Sequence, residues 1–243
     1  MRTLGSRLAA PARGINDLPQ TGPAGEEGLT YRVDHKNATF VGFDQYVGRS
    51  ATFDSSKYDS STNYGMMNPW VTAQLNGTTR PWVFAFAHEQ AFIVDSTDCF
   101  VNAPAERDAM IDALGPKHGV YLCGHVHMYY RNHFPDAHTN TVLQFISGAG
   151  GAPVSAHTKE DLNAALDRHV VPTLDFFNGA PADGSGNTGG LLPKFGYLLV
   201  TIHGNTATGD FRAFMNYNWP AWTMTGTTPE FQTLEHFEFT NGH

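Results

Sequence analysis

His88 directly follows the apolar run Trp82–Ala87, and His125 and His127 directly follow Val120–Cys123 within Gly124-His125-Val126-His127. Both runs read as buried strands, so all three imidazoles stand where a chain leaves the carboxyl end of a strand. In open α/β sheets ligands gather there, because loops at that edge are free to converge. A His-X-His pair in extended backbone presents both rings on one side of the chain, about two residues' rise apart. Such a pair can share one metal ion or serve two adjacent ones. Gly124 is expected to let the backbone turn without crowding the site. A lone strand-end histidine is usually bonded to backbone, but three in this pattern point to metal ligation. The chain holds 12 histidines. Of the others, His35 falls in a predicted hairpin and reads as a surface residue. His133 and His138 follow His127 closely enough to line the same site. Asp44, ending a strand, is a candidate acceptor for the second N–H of a ligand imidazole. Tyr130 reads as packing, and Arg131 is placed to meet an anionic oxygen.

The elements that must position these residues can be read along the chain. Thr30–Asp34 and Thr39–Asp44 form a predicted hairpin around His35-Lys-Asn37, followed by a polar loop over 48–65. A short helix is expected from Asn68-Pro69-Trp70 to Leu75, with its proline in the first turn. The clearest helix is Ala103–Leu114, capped by Asn102 and stopped by Gly115-Pro116. Thr141–Ile146 is a third strand, ending in the glycine-rich Ser147-Gly-Ala-Gly-Gly151. A helix over Lys159–Arg168, a loop to Pro193, and strands at Tyr197–Ile202, Thr208–Met215 and Thr233–Thr240 complete the chain. The order predicts an α/β sandwich with a sheet-rich C-terminal half.

Composition narrows the function classes. Hydrophobic residues make up 41% and charged residues only 16%, which excludes disorder. No apolar run is long enough to span a bilayer. A formal net charge of -8, from 15 Lys and Arg against 23 Asp and Glu, argues against bulk nucleic-acid binding. An anionic substrate would need locally supplied positive charge. Cys99 and Cys123 read as two ordinary thiols or one disulfide, since spacing alone does not decide. The first 13 residues are too broken in hydropathy for a secretory leader, which leans the expected compartment towards the cytoplasm. No Gly-X-Ser-X-Gly elbow is present, which counts against a serine hydrolase.

Trp82-Val-Phe-Ala-Phe-Ala-His88, the 103–114 helix, Gly119-Val-Tyr-Leu-Cys-Gly-His-Val-His-Met-Tyr-Tyr-Arg131 and Ile146-Ser-Gly-Ala-Gly-Gly151 together resemble a calcineurin-like metallophosphoesterase. The purple acid phosphatase branch is the most similar. The resemblance runs in order over residues 13–215. It implies an incomplete metallophosphoesterase-type β-sandwich with flanking helices, divided into an irregular N-terminal arm at 1–28 and a truncated domain at 29–243. Of the family's five ligand blocks, the lone His and the Gly-His-X-His are here, as His88, His125 and His127. The Asp-X-His and Gly-Asp-X-X-Asp blocks are absent. The Gly-Asn-His-Asp block survives as Arg13-Gly-Ile-Asn-Asp17, with Asn16 where the family has a catalytic His.

The resemblance implies that His88 and His125 ligate one metal position and His127 the other. With the remaining ligands missing, a single divalent transition metal (Zn, Mn or Fe) per chain is expected, with Asn16 or Asp17 able to add an oxygen ligand. The implied activity is hydrolysis of phosphoric esters by a hydroxide formed on the metal. Asn16, Arg131, His133 and His138 are the candidates for orienting a small phosphoester substrate. Phosphodiesters are favoured over monoesters and phosphonates, because a dianion profits most from a second cation. The alternative is a decayed relative that binds metal or phosphate without turnover, or that has a structural role. Loss of the family's N-terminal strands would expose an edge and an apolar face at Trp82–Ala87 and Thr39–Phe43. The expected repair is a two-fold homodimer, with residues 1–28 crossing to the partner.

Overall fold

The structure is a computed structural model that describes residues 21–24, 26–45, 60–92, 104–151, 173–178, 194–218 and 223–241. The central layer is a seven-stranded mixed sheet in the order β1-β2-β3-β4-β6-β5-β7. Its strands are β1 (Tyr31–His35), β2 (Ala38–Gly42), β3 (Trp82–Phe86), β4 (Val120–Cys123), β5 (Tyr129–Pro135), β6 (Thr141–Ser147) and β7 (Thr173–Asn178). The neighbours β2-β3, β3-β4 and β4-β6 are parallel, while β1 and β5 run antiparallel to theirs. The carboxyl ends of β2, β3, β4 and β6 therefore share one edge of the layer.

Two helices, α1 (Ser60–Gly77) and α2 (Pro104–Leu114), cover one face of this sheet. Val71 and Leu75 of α1 and Met110, Ile111 and Leu114 of α2 share a core with Val41, Val83, Ala85 and Tyr121. The other face packs on a three-stranded antiparallel sheet, β12-β9-β8, from β8 (Gly196–His203), β9 (Thr206–Phe214) and β12 (Phe231–Thr240). There Phe84, Val120 and Phe145 meet Leu198, Val200, Phe237 and Phe239. Phe145 stacks on Phe237 with ring centroids 5.2 Å apart, and the Trp82 indole N–H donates to the Gly204 carbonyl at 2.7 Å. A short pair, β10 (Tyr217–Asn218) and β11 (Thr223–Met224), completes the assignment.

Several expectations are corrected. The helix expected at 68–75 starts at Ser60 and runs through Pro69, inside a stretch read as polar loop. A proline there has no N–H for the carbonyl four residues earlier, so sequence reasoning starts the helix at the proline rather than before it. β5 and β7 were not foreseen, and β7 falls within the stretch expected to be loop. The helix expected at 159–168 lies outside the described residues. Trp82–Ala87 and Thr39–Phe43 are not exposed: β3 lies between β2 and β4, and Trp82, Val83, Phe84 and Ala85 are at most 2% exposed. These two segments are thus covered within one chain. The sheet's edge strands are β1 and β7, and Thr21 grips β1 at Arg32, its Oγ1 accepting the N–H at 2.8 Å and donating to the carbonyl at 3.1 Å. Cys123 is a buried free thiol facing the Phe145 carbonyl, while Cys99 lies outside the described residues.

A polar network locks the two sheets together. The Tyr129 hydroxyl donates to Glu235 Oε2 at 2.7 Å, and Arg131 Nε and Nη2 donate to Glu235 Oε1 at 3.0 and 2.9 Å. Glu235 points inward because the register slips between Thr233 and Glu235, a bulge that turns the strand over. Phe231, before the bulge, is 41% exposed, whereas Phe237, after it, is partly buried against the core between the sheets. Burial, and then the Glu235 carboxylate, push the Tyr129 phenol far above its ordinary pKa, so it stays a donor at any physiological pH. Glu235→Leu leaves the Arg131 charge and the Tyr129 hydroxyl without that carboxylate. We expect it to destabilise the fold by about 3 kcal/mol, the low end of the range for a broken buried pair because Arg131 keeps some exposure. Denaturant unfolding of the variant checks this, and an unchanged midpoint would contradict it.

Candidate functional site

The parallel ladder of β3 and β4 continues past both strand ends. Ala87 N–H donates to the Leu122 carbonyl at 3.2 Å, and Gly124 N–H donates to the His88 carbonyl at 2.9 Å. This registers His88 against Gly124 and brings the next residue, His125, alongside. His125 Nδ1 lies 3.1 Å from His88 Nε2, with the rings nearly perpendicular and their centroids 5.0 Å apart. Burial, followed by the neighbouring His125 and His127, holds the His88 imidazole below its ordinary pKa. His88 is therefore kept neutral at lower pH than usual, and a neutral imidazole is the form that binds metals.

The chain from Gly124 to Met128 is not extended, contrary to expectation. Val126 N–H donates to the Gly124 carbonyl and Met128 N–H to the Val126 carbonyl, both at 2.8 Å. Two tight three-residue turns follow one another, the first centred on His125 at φ 61°. The reason is topological. β4 and β5 are separated by β6, so the link must climb over the end of β6 before β5 begins. A non-glycine residue with positive φ is costly, and such residues concentrate at functional sites.

The essential glycine is also not the expected one. A Cβ on Gly124 would lie 3.8 Å from the His88 carbonyl oxygen, an ordinary contact. A Cβ on Gly148 would lie 1.9 Å from the Val126 carbonyl oxygen. Gly148 N–H also donates to the Met128 carbonyl at 3.0 Å, so Ser147-Gly148 is the seat of the histidine loop.

The other candidates are placed as follows. Asn16 and Asp17 lie outside the described residues. His133 pairs with Leu143, which pairs with Val120, so it stands three residues, about 10 Å, down the sheet from the end of β4. His138 sits in the β5–β6 turn at the opposite edge of the sheet, where its N–H donates to Asp136. β5 runs away from the site, which is why proximity in sequence misplaces both histidines. Arg131 is engaged with Glu235 and lies 4.5 Å over the Phe237 ring, between the sheets. Asp44 does not end a strand, as β2 stops two residues earlier at Gly42, and it donates its N–H to Thr30 Oγ1. Burial, then the charges of Asp44 and Glu27, raise the pKa of Glu26 to about 7. His35 is exposed at the β1–β2 turn.

Sequence reasoning missed the buried polar residues beneath the site: Gln45, Tyr121, Asn132 and Gln144. Their signal was present, since Gln144 and Asn132 interrupt strands that are otherwise mostly apolar or aromatic.

The donor set can be tested against a metal. Bonds of about 2.0–2.1 Å at tetrahedral angles put neighbouring ligand nitrogens roughly 3.3 Å apart, close to the separation of the His88–His125 pair. His127 shares the loop and acts electrostatically on His88. Among the described residues, no group of three or more His, Cys, Asp or Glu side chains is drawn together as a metal site. Of the three expected histidines, His88 and His125 stand within 3.1 Å of each other, and His127 is near enough to act on His88.

No family model matches the sequence, and no curated protein matches it. Solved structures do. The structure of PhoD superposes with a TM-score of 0.60 at 16% identity, over 91% of this chain and 44% of that one. The purple acid phosphatase PPD1 from yellow lupin (Lupinus luteus) seeds superposes with a TM-score of 0.50 at 14% identity, over 90% of this chain and 34% of that one. The chain spans less than half the length of either. Among the described residues, no helix is long and apolar enough to cross a membrane. The layered α/β architecture described above is the fold that this chain shares with the structures of PhoD and of the purple acid phosphatase PPD1.

Proposed function

We propose that this protein hydrolyses phosphoric esters with one divalent transition metal held by His88 and His125, and prefers phosphodiesters to monoesters and phosphonates. The observation that carries the reading is the imidazole pair, 3.1 Å apart, at the carboxyl ends of two adjacent parallel strands. The metal, when bound, supplies charge to a phosphoryl oxygen and acidifies a water. The chain's own part is to hold the His88 imidazole below its ordinary pKa, through partial desolvation and the neighbouring histidines, and to hold His125 in a strained turn, so that both rings are oriented before a ligand arrives. His127, two residues on, stands ready in the same loop. A chain with a formal net charge of -8 has little other means of attracting a phosphate. With one cation at the site, a diester, carrying one negative charge fewer than a monoester dianion, loses less from the lack of a second.

The test is hydrolysis of bis(4-nitrophenyl) phosphate and of 4-nitrophenyl phosphate by chelator-treated protein, before and after addition of Mn²⁺ or Zn²⁺. We expect nitrophenolate release only with metal, and faster from the diester. Equal rates without metal, or a faster monoester, would sink the proposal. The second reading, a relative that binds metal or phosphate without turnover, is favoured by the lack of a third ligand among the described residues. Stoichiometric Zn²⁺ binding with neither ester hydrolysed would support it.

A further inference from the structure

We propose that Gln144, a buried amide on β6, is a positioning residue for His88, acting through a clamp on the loop that follows β3. That loop, residues 87–92, leaves the sheet and still buries Glu89, Gln90, Ala91 and Phe92 to 2% exposure or less. Buried backbone groups need partners, and here side chains from other elements supply them. Gln45, just past β2, accepts the Glu89 N–H through Oε1 at 2.5 Å. Tyr121 of β4 donates its hydroxyl to the Glu89 carbonyl. Gln144 Oε1 accepts the Ala91 N–H at 2.8 Å and the Phe92 N–H at 3.4 Å. Gln144 Nε2 donates to the Phe92 carbonyl at 3.3 Å and to Asn132 Oδ1 on β5 at 3.0 Å.

A carboxamide carries an acceptor and two donors in one plane, like a peptide group. Gln144 uses all three functions, and so stands in for the strand that the loop lacks. An apolar residue would fill this place in the core at lower desolvation cost. The buried amide instead specifies one loop geometry. His88 is held from one side by the ladder to Gly124 and from the other by this clamp, and these two ties set its ring against His125.

The zinc arm of the test rests on the function proposed above, and the spectroscopic arm does not. Two variants are used. Gln144→Met keeps the volume and removes every polar contact. Tyr121→Phe removes the hydroxyl that bonds the Glu89 carbonyl and carries the test should the first variant fail to fold. Val71→Ala, a core cavity on α1, is the control for lost stability alone. In metal-free protein, nuclear Overhauser contacts between the His88 and His125 ring protons, whose ring centroids lie 5.0 Å apart, should be present in the wild type and in Val71→Ala. Both clamp variants should lose those contacts. Their Zn²⁺ affinity, read by competition with a chromophoric chelator, should fall about tenfold, while the control is unchanged. If both variants keep the ring contacts, the clamp only supports the fold and the proposal is overturned. If the wild type binds no Zn²⁺, the functional reading fails, and the imidazole spectra alone decide for or against the clamp.

Discussion

Replacing His125 by alanine is expected to remove bound metal and phosphoester hydrolysis together, with activity down by about three orders of magnitude. Metal polarisation of a phosphoryl group accounts for several kcal/mol of transition-state stabilisation, and each ~1.4 kcal/mol is tenfold in rate. His125 is the sharper target of the pair for a backbone reason as well. It holds φ 61° in a turn closed by the Val126 N–H, a conformation that alanine adopts only at a cost. His125→Asn separates the two effects. Asparagine tolerates the left-handed region, so its loop should stay in place while the imidazole nitrogen facing His88 is gone. Both variants should therefore lose metal, and only the alanine variant should also lose stability. Metal analysis, ester hydrolysis and unfolding midpoints measured on the same preparations check this. Full activity in either variant after metal has gone would show that the pair does not hold a catalytic ion.

What can be read from the sequence, and what cannot, follows from how burial writes itself into residue patterns. β3, β4 and β6 are short apolar runs ended by Gly or His, and α2 carries an Asn-Pro start and a Gly-Pro stop, so their places are plain. The two histidine-bearing strand ends follow directly from them. β5 is hidden because both its faces are buried: Tyr129 stacks on Phe211 in one layer, while Tyr130 and Phe134 pack under the helices in the other. A strand covered on both sides shows no alternation, and Arg131, Asn132 and His133 in its middle look like loop. The inward turn of Glu235 is equally silent, because it depends on a bulge that no period-two pattern contains. Arg131 then reads as a free cation near the site, when it is the partner of a carboxylate more than 100 residues away. The proximity of His88 and His125 was foreseeable from parallel pairing. The coiled link from Gly124 to Met128 was not, because it follows from β6 lying between β4 and β5, and strand order is a property of the whole sheet.

That strand order carries the second large effect. In Ser147-Gly-Ala-Gly-Gly151 the glycines look interchangeable, yet a Cβ meets nothing within 4 Å at Gly150 and lies 1.9 Å from a backbone oxygen at Gly148. The obstructing atom is the Val126 carbonyl oxygen, and the next contacts are Val126 C at 2.8 Å and His127 Cα at 3.3 Å. None of these is the end of a flexible side chain, so relief must come from moving the histidine loop itself. Gly148→Val is expected to destabilise the protein by about 3 kcal/mol, the upper range for overpacking, and to break the Gly148–Met128 hydrogen bond. The displaced loop would carry His125 and His127 away from His88. A shift of about 1 Å is enough to cost a catalytic site roughly a hundredfold in rate. Gly150→Val, two residues on and facing open space, is the control and should leave stability and zinc affinity near the wild-type values. Unfolding midpoints and Zn²⁺ titrations of the two variants decide the matter. If Gly148→Val binds metal and unfolds like the Gly150 control, the histidine loop does not rest on β6, and the tight approach of the two backbones has no part in building the site.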